Sequence, residues 1–196
     1  MKILKNVSDN ILPTLFWLCI MLAFDSGAIC ILTLISVSVH ELGHIFAAFL
    51  VKRGNISLPR ATLWGLKIDT GGLISYKEEA IIASGGPMAN LLLFLISLPF
   101  FTTSQYALSL GMINLFTALT NLFPMRGYDG GRIIRSILLS TGRLRLADIT
   151  VDVLTLTSSA TLSVISLIII MLIGEGWWIF IFFFSVLLGE IVKRHR

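Results

Sequence analysis

Charged side chains are scarce in this sequence of 196 residues. They make up 13% of the chain, whereas hydrophobic residues make up 56%, a balance far more apolar than that of a soluble domain. The sequence therefore excludes an ordinary water-soluble enzyme or binding module. We expect an integral membrane protein that is solvated mainly by lipid.

Cysteine is also rare, since the chain contains two, Cys19 and Cys30. Both lie in or beside apolar runs, and neither belongs to a CxxC pair. This pattern predicts two buried thiols that form no disulfide and bind no metal. The sequence likewise lacks internal repeats, low-complexity tracts and an appended soluble segment. We therefore predict a single polytopic membrane domain that spans residues 1–196.

Six apolar runs divide the chain. Most are close to the roughly 20 residues that a helix needs to cross about 30 Å of hydrocarbon. They cover residues 11–24, 28–51, 80–101, 106–124, 149–173 and 177–192. We predict an all-α membrane protein with about six transmembrane helices. The first run also resembles a signal peptide, because Lys2 and Lys5 precede it and small residues follow it; cleavage there would leave five spans.

The connections on one side of the membrane contain no lysine or arginine. If the N-terminus lies inside, all 15 basic residues fall in inner segments, and the connections at residues 25, 102–105 and 174–176 have none. Because positive residues collect on the cytoplasmic side, both termini are predicted to face the cytoplasm. The positive net charge then reflects topology and contact with anionic lipid of the bilayer, and no nucleic acid partner is expected.

Two inner connections are long enough to form structure of their own. In the first, apolar Trp64, Leu66 and Ile68 alternate with other residues, a period of two that predicts a strand. A turn at residues 70–72 and a return strand at residues 73–77 would complete a small cytoplasmic-side β-hairpin. The second, residues 130–146, mixes isoleucines and leucines with arginines, as an interfacial helix does.

An HExxH pattern, His40-Glu41-Leu42-Gly43-His44, lies inside the second apolar run. Positions i and i+4 of a helix share one face, so both imidazoles can reach one Zn²⁺. Glu41 stands about 100° round the axis, beside the metal-bound water. The pattern predicts a peptide-hydrolysing zinc site in the membrane. A metal site without protease activity is the alternative.

A catalytic zinc ion usually takes three protein ligands, so HExxH is one ligand short. The third histidine, His195, lies in the basic tail, too near the surface to serve. Asp129 differs from the other carboxylates because it follows Pro124 and stands among glycines at the end of the fourth run. Such a break lets a carboxylate turn back into the protein interior. The same cluster also fits an ordinary turn at a helix end.

Depth in the membrane groups a further residue with the histidines. His44 precedes Lys52 by eight residues, which is about 12 Å along a helix. Asn90 lies about 15 Å into the third run from the same side, so it is level with the histidines. An amide at that depth is costly unless it is bonded, so Asn90 is predicted to orient a ligand or the backbone. Gly85-Gly86-Pro87 before it also fits helix packing through small residues.

Three sequence blocks together resemble the site-2 protease family of intramembrane zinc metalloproteases. They are HELGH at residues 40–44, GGPxxN at residues 85–90 and NxxPxxxxDGG at residues 121–131. The compact six-span plan without a PDZ insertion is most similar to the stage IV sporulation protein FB branch. That branch often carries a carboxy-terminal CBS domain, and this chain ends at Arg196 without one. Nucleotide-sensing regulation and a sporulation role are therefore not expected from the resemblance.

The resemblance implies that His40, His44 and Asp129 bind one Zn²⁺ per chain. It implies that Glu41 takes a proton from the zinc-bound water and later delivers it to the leaving amine. It also implies that Asn121 contacts the substrate carbonyl or stabilises the oxyanion. A helix C-cap is the alternative role for Asn121.

The activity implied by the resemblance is regulated intramembrane proteolysis in a bacterial cell membrane. The substrate would be a membrane-embedded or juxtamembrane segment of another protein, cut at an active site open to the cytoplasmic side, and a regulatory membrane partner would control the cut. Two other classes remain open. A catalytically inactive metal-binding scaffold, or pseudoprotease, would not need Glu41, and an ion transporter would be expected to have more intramembrane carboxylates.

Overall fold

The computed structural model describes residues 27–51, 60–62, 65–67, 74–173 and 177–194. Within these residues the chain forms six α-helices and two short β-strands. They are α1 (Gly27–Val51), β1 (Arg60–Thr62), β2 (Gly65–Lys67), α2 (Tyr76–Ser97), α3 (Gln105–Asn121), α4 (Asp129–Ser140), α5 (Leu144–Ile173) and α6 (Trp177–Arg194). Five of the six predicted apolar runs are thus confirmed as helices. The run at residues 11–24 and its signal-peptide alternative lie outside the described residues.

Among the described residues, three helical segments are long and apolar enough to cross a membrane. They are Gly27–Val51, Tyr76–Phe100, in which a 3₁₀ turn extends α2, and Leu144–Leu172. Large apolar side chains point outward from them; Leu42, Phe46 and Leu172 are 60%, 64% and 80% exposed. Such surfaces are stable in contact with lipid and not in water. The chain is therefore an integral membrane protein, and the count of six spans stays a prediction.

The chain divides into two compact units, Met1–Asn121 and Leu122–Arg196. In the first unit, α1 packs along α2, and α3 packs against both. In the second unit, α5 packs against α4 and α6. The HExxH helix and the Asn90 helix therefore belong to one three-helix packing arrangement, which positions the site described below.

The helices α1 and α2 approach so closely at their crossing that no side chain fits between them. A Cβ atom on Gly43 would lie 2.4 Å from the carbonyl oxygen of Gly85, and one on Gly85 would lie 2.5 Å from that of Gly43. Ala47 and Ala89 flank the crossing and would be 2.7 Å from these added atoms. In a membrane, helices associate through such close contacts between small residues. The packing role predicted for the small residues before Pro87 is confirmed for Gly85.

The first inner connection contains a short antiparallel pair of strands, β1 and β2. Arg60 lies opposite Lys67, and Thr62 lies opposite Gly65. The strand predicted from the alternation around residues 64–68 is thus present at Gly65–Lys67, but its partner precedes it in the chain. The predicted turn at residues 70–72 lies outside the described residues. The placement of this pair on the cytoplasmic membrane surface stays a prediction.

The return strand predicted at residues 73–77 is wrong, because α2 begins at Tyr76. Ser75 and Glu78 form a capping box: the Ser75 hydroxyl accepts from the Glu78 N–H at 3.3 Å, and the Glu78 Oε2 atom accepts from the Ser75 N–H at 2.7 Å. This reciprocal pair satisfies two donors at the helix start. It stabilises helix at residues that were predicted to be extended.

The second inner connection is the amphipathic helix α4, shorter than the predicted span of residues 130–146. Ser136 and Leu139 are buried, and Arg135 is exposed and donates to Asp148 at the start of α5 at 2.9 Å. The helix ends before residue 142 because Gly142 adopts φ 77°, a left-handed conformation that glycine tolerates and that commonly terminates helices.

Candidate metal centre

Two buried histidines face each other on α1. His40 and His44 are 6% and 7% exposed, and their Nε2 atoms lie 3.1 Å apart. The two rings are nearly perpendicular, with an interplanar angle of 88°. The prediction that the HExxH spacing brings both imidazoles to one helix face is confirmed.

A backbone carbonyl sets the tautomer of His44. Its Nδ1 atom lies 2.8 Å from the carbonyl oxygen of Ile82. Because a carbonyl can only accept, Nδ1 must carry the proton, and the Nε2 atom of the neutral ring then has a lone pair. The Gly86 N–H lies at 3.3 Å from the same Nδ1 atom, which is the longer of the two contacts.

Asn90 sets the tautomer of His40 in the same way. Its Oδ1 atom lies 2.6 Å from the His40 Nδ1 atom, and its Nδ2 atom donates to the Ser36 carbonyl oxygen at 3.0 Å. With the amide nitrogen bound to a carbonyl, the amide oxygen accepts from His40 Nδ1–H. The His40 Nε2 atom therefore also has a lone pair. The prediction that Asn90 lies level with the histidines and orients one of them is confirmed.

The converging Nε2 atoms fit a metal ion. Two ring nitrogens 3.1 Å apart need either a proton between them or a cation beside them, and imidazole nitrogen is a common ligand of zinc. A Cβ atom on Gly86 would lie 2.5 Å from the Nε2 atom of His44 and 2.7 Å from that of His40. Glycine at position 86 therefore keeps side-chain atoms out of the space next to both ligand atoms.

Glu41 follows the first histidine on α1 and is partly buried. Consecutive helical positions are about 100° apart, so its carboxylate is beside the histidine face and not on it. A carboxylate can exchange protons with water and with an amine. Its catalytic role stays a prediction.

Asp129 is the first residue of α4 in the second unit, and it is 5% exposed. Its Oδ1 atom accepts from the Nη1 atom of Arg132 at 3.1 Å. A carboxylate in the first turn of a helix is also favoured by the helix dipole. The interior position that the sequence predicted for this carboxylate is confirmed, whereas its role as a ligand stays a prediction.

The glycines around Asp129 act in two different ways. Gly127 adopts φ 94°, so it supplies the left-handed backbone expected of a turn after a helix. Gly130 and Gly131 instead allow close packing: a Cβ atom would lie 2.1 Å from the carbonyl oxygen of Leu122 or Met125, respectively. The start of α4 is therefore held against the preceding loop by backbone contact.

Asn121 is the last residue of α3 and is partly buried. Its Nδ2 atom donates to the carbonyl oxygen of Thr117, one turn earlier, at 2.9 Å. Thr117 precedes the last four carbonyls of α3, which are the ones without a helical partner, so this bond is not a C-cap. The C-cap role of Asn121 stays a prediction. Contact of Asn121 with a substrate stays a prediction.

Two buried polar residues of this region, Ser36 and Asn114, were not predicted from the sequence. Both are 0% exposed, and both are hydrogen-bonded to Asn90. The signal was available, because Asn114 is an amide near the middle of the fourth apolar run, where an amide needs a partner as much as Asn90 does.

The chain resembles known proteins in both sequence and structure. No family model matches the sequence. A protein of Synechocystis sp. with the name "Putative zinc metalloprotease" is 35% identical over 116 residues, which cover 52% of this chain and 29% of the relative. The chain therefore matches less than a third of that protein's length. The site-2 protease from Methanocaldococcus jannaschii superposes with a TM-score of 0.61 over 93% of this chain and 86% of that chain, at 23% identity. The chain has the fold of a site-2 protease.

Proposed function

We propose that this protein is a zinc-dependent intramembrane endopeptidase of the site-2 protease family. The buried histidine pair carries the proposal, since its two Nδ1 protons are held by Ile82 and Asn90 and its two Nε2 lone pairs converge beside Gly86. The likeness in fold to a site-2 protease and the name of the Synechocystis relative support it.

The proposed ligands of one zinc ion are His40, His44 and Asp129. All three are buried, and each offers one ligand atom, an imidazole nitrogen or a carboxylate oxygen of the kind that binds zinc. Metal ligands are usually oriented by hydrogen-bonded neighbours. Asn90 has this role for His40, and Arg132 has it for Asp129.

Zinc bound by these residues would supply a Lewis acid, which polarises the scissile carbonyl and makes water more acidic. Glu41 takes a proton from the attacking water and delivers it to the leaving amine. Asn121 has one N–H bound to its own helix, and the second N–H of its amide is proposed to donate to the substrate carbonyl. The proposed substrate is a membrane-embedded or juxtamembrane segment of another protein. We also propose that a regulatory membrane partner controls the cut.

Zinc content tests the proposed ligands. Purified wild-type protein should contain one zinc ion per chain by elemental analysis, and His44→Ala and Asp129→Ala should each lose most of it, because each removes one of three ligands. His195→Ala changes the remaining histidine of the chain and serves as the matched control that keeps its zinc. Near-normal zinc in both ligand variants would remove the proposed site.

Metal removal tests the activity itself. Zinc-loaded protein should cleave membrane-tethered candidate substrates or leftover signal peptides, a chelator should stop cleavage, and added zinc should restore it. Zinc-loaded protein that binds such substrates and leaves them intact would support the pseudoprotease alternative.

We further propose one polytopic domain over residues 1–196 with about six spans, both termini in the cytoplasm of a bacterial cell and the site open to that side. The asymmetric placement of the 15 basic residues supports this orientation. Reporter fusions after residues 24, 53, 104, 143, 174 and 196 should report outside, inside, outside, inside, outside and inside. An outside signal after residue 53 would invert the orientation.

A further inference from the structure

A row of buried hydrogen bonds connects α3 to the HExxH helix. The Asn90 Nδ2 atom donates to the Asn114 Oδ1 atom at 2.6 Å, and the Ser36 hydroxyl donates to the same oxygen at 3.2 Å. All three side chains are 0% exposed. Polar groups in a membrane interior are costly unless they are bonded to one another. The row therefore joins the three described helices of the first unit beside His40.

The orientation of both amides in the row is fixed by backbone carbonyls. The Asn114 Nδ2 atom donates to the carbonyl oxygen of Leu110 at 2.8 Å, so its amide oxygen faces Asn90. Asn90 in turn directs its nitrogen to Asn114 and to the Ser36 carbonyl. The Asn90 oxygen is then left to accept from His40 Nδ1–H at 2.6 Å.

We propose that Asn114 is a positioning residue for the metal site. It holds the Asn90 amide in the orientation that keeps the proton of His40 on Nδ1 and the lone pair on Nε2. If the Asn90 amide turned by 180°, its nitrogen would face His40 Nδ1 and favour the tautomer with the proton on Nε2, whose Nε2 atom then has no lone pair for a metal ion. The inference rests on the proposed zinc site at His40 and His44.

Metal affinity of the purified protein in detergent is the primary measurement. We expect Asn114→Leu to weaken zinc binding by about 10- to 100-fold in competition with a chromophoric chelator. The cobalt-substituted variant should also show an altered visible absorption spectrum. Thr120→Val is the matched control on α3, because its hydroxyl bonds to carbonyls of its own helix; its affinity and spectrum should equal those of the wild type. If Asn114→Leu shows no cooperative unfolding transition, and so is not folded, Asn114→Ser replaces it. The same loss of zinc affinity is expected for Asn114→Ser.

A double-mutant cycle separates positioning from simple helix packing. If Asn114 acts through Asn90, Asn114→Leu should weaken zinc binding in the wild type but change it less than about twofold in an Asn90→Leu background. If the two residues instead affected packing independently, the fold-changes in zinc affinity of the two single variants would multiply in the double variant. Multiplying effects, or a folded Asn114 variant with wild-type affinity, would overturn the inference. Wild-type protein that binds neither zinc nor cobalt would overturn the zinc proposal itself, which keeps the two failures distinct.

Discussion

Replacing Gly86 with alanine is expected to abolish zinc binding while the helical fold persists. The new methyl carbon would lie 2.5 Å from the Nε2 atom of His44 and 2.7 Å from that of His40, inside the contact distance of about 3.5 Å. The rings cannot easily withdraw, because Ile82 and Asn90 hold their Nδ1 atoms. Alanine stabilises a helix relative to glycine by up to about 1 kcal/mol, so the substitution is not expected to destabilise the helical backbone of α2.

Elemental analysis and thermal unfolding of the same preparation measure the two halves of this prediction. Gly27→Ala is the matched control, because a Cβ atom there would meet nothing within 4 Å, and it should keep its zinc. A folded Gly86→Ala protein with one zinc ion per chain would contradict the assignment of the metal to the space beside this glycine.

Glu41→Gln is expected to retain zinc and lose proteolysis. The amide has nearly the volume of the carboxylate, but it cannot take up the proton of the attacking water, so we expect cleavage to slow by at least about 100-fold. Initial cleavage rates of zinc-loaded protein, with zinc content determined in parallel, measure the effect. Glu78→Gln is the matched control, since glutamine can replace glutamate in the capping box with Ser75.

Two outcomes would contradict the role proposed for Glu41 as the base. Cleavage at the wild-type rate would show that another group acts as the base. Loss of zinc from Glu41→Gln would show that the carboxylate contributes to metal binding and would undermine the proposed ligand set of His40, His44 and Asp129.

The parts of the fold that follow from local periodicity could be predicted from the sequence. Apolar runs gave the helices, and the i, i+4 spacing gave the shared face of His40 and His44. The depth of Asn90 followed from counting 1.5 Å per residue along two helices. Each of these inferences needs only helix geometry and the cost of burying a polar group.

Features that depend on contacts between helices were not predictable in the same way. The effect of Gly86 requires the distance from α2 to both rings, and the link from Asn114 to His40 requires the packing of three helices. The strand error at residues 73–77 had another cause. A turn predicted at residues 70–72 implied a returning strand, and the helix-start signal at Ser75 was not weighed against it.

The close crossing of α1 and α2 restricts the route by which a substrate can reach the histidines. Gly43 and Gly85 leave no room there for even one added carbon atom, so an unwound polypeptide, several ångströms thick, cannot slide in along this seam. A substrate must therefore arrive from another side of the histidine pair. On this side of the histidine pair, the barrier consists of main-chain atoms of Gly43 and Gly85.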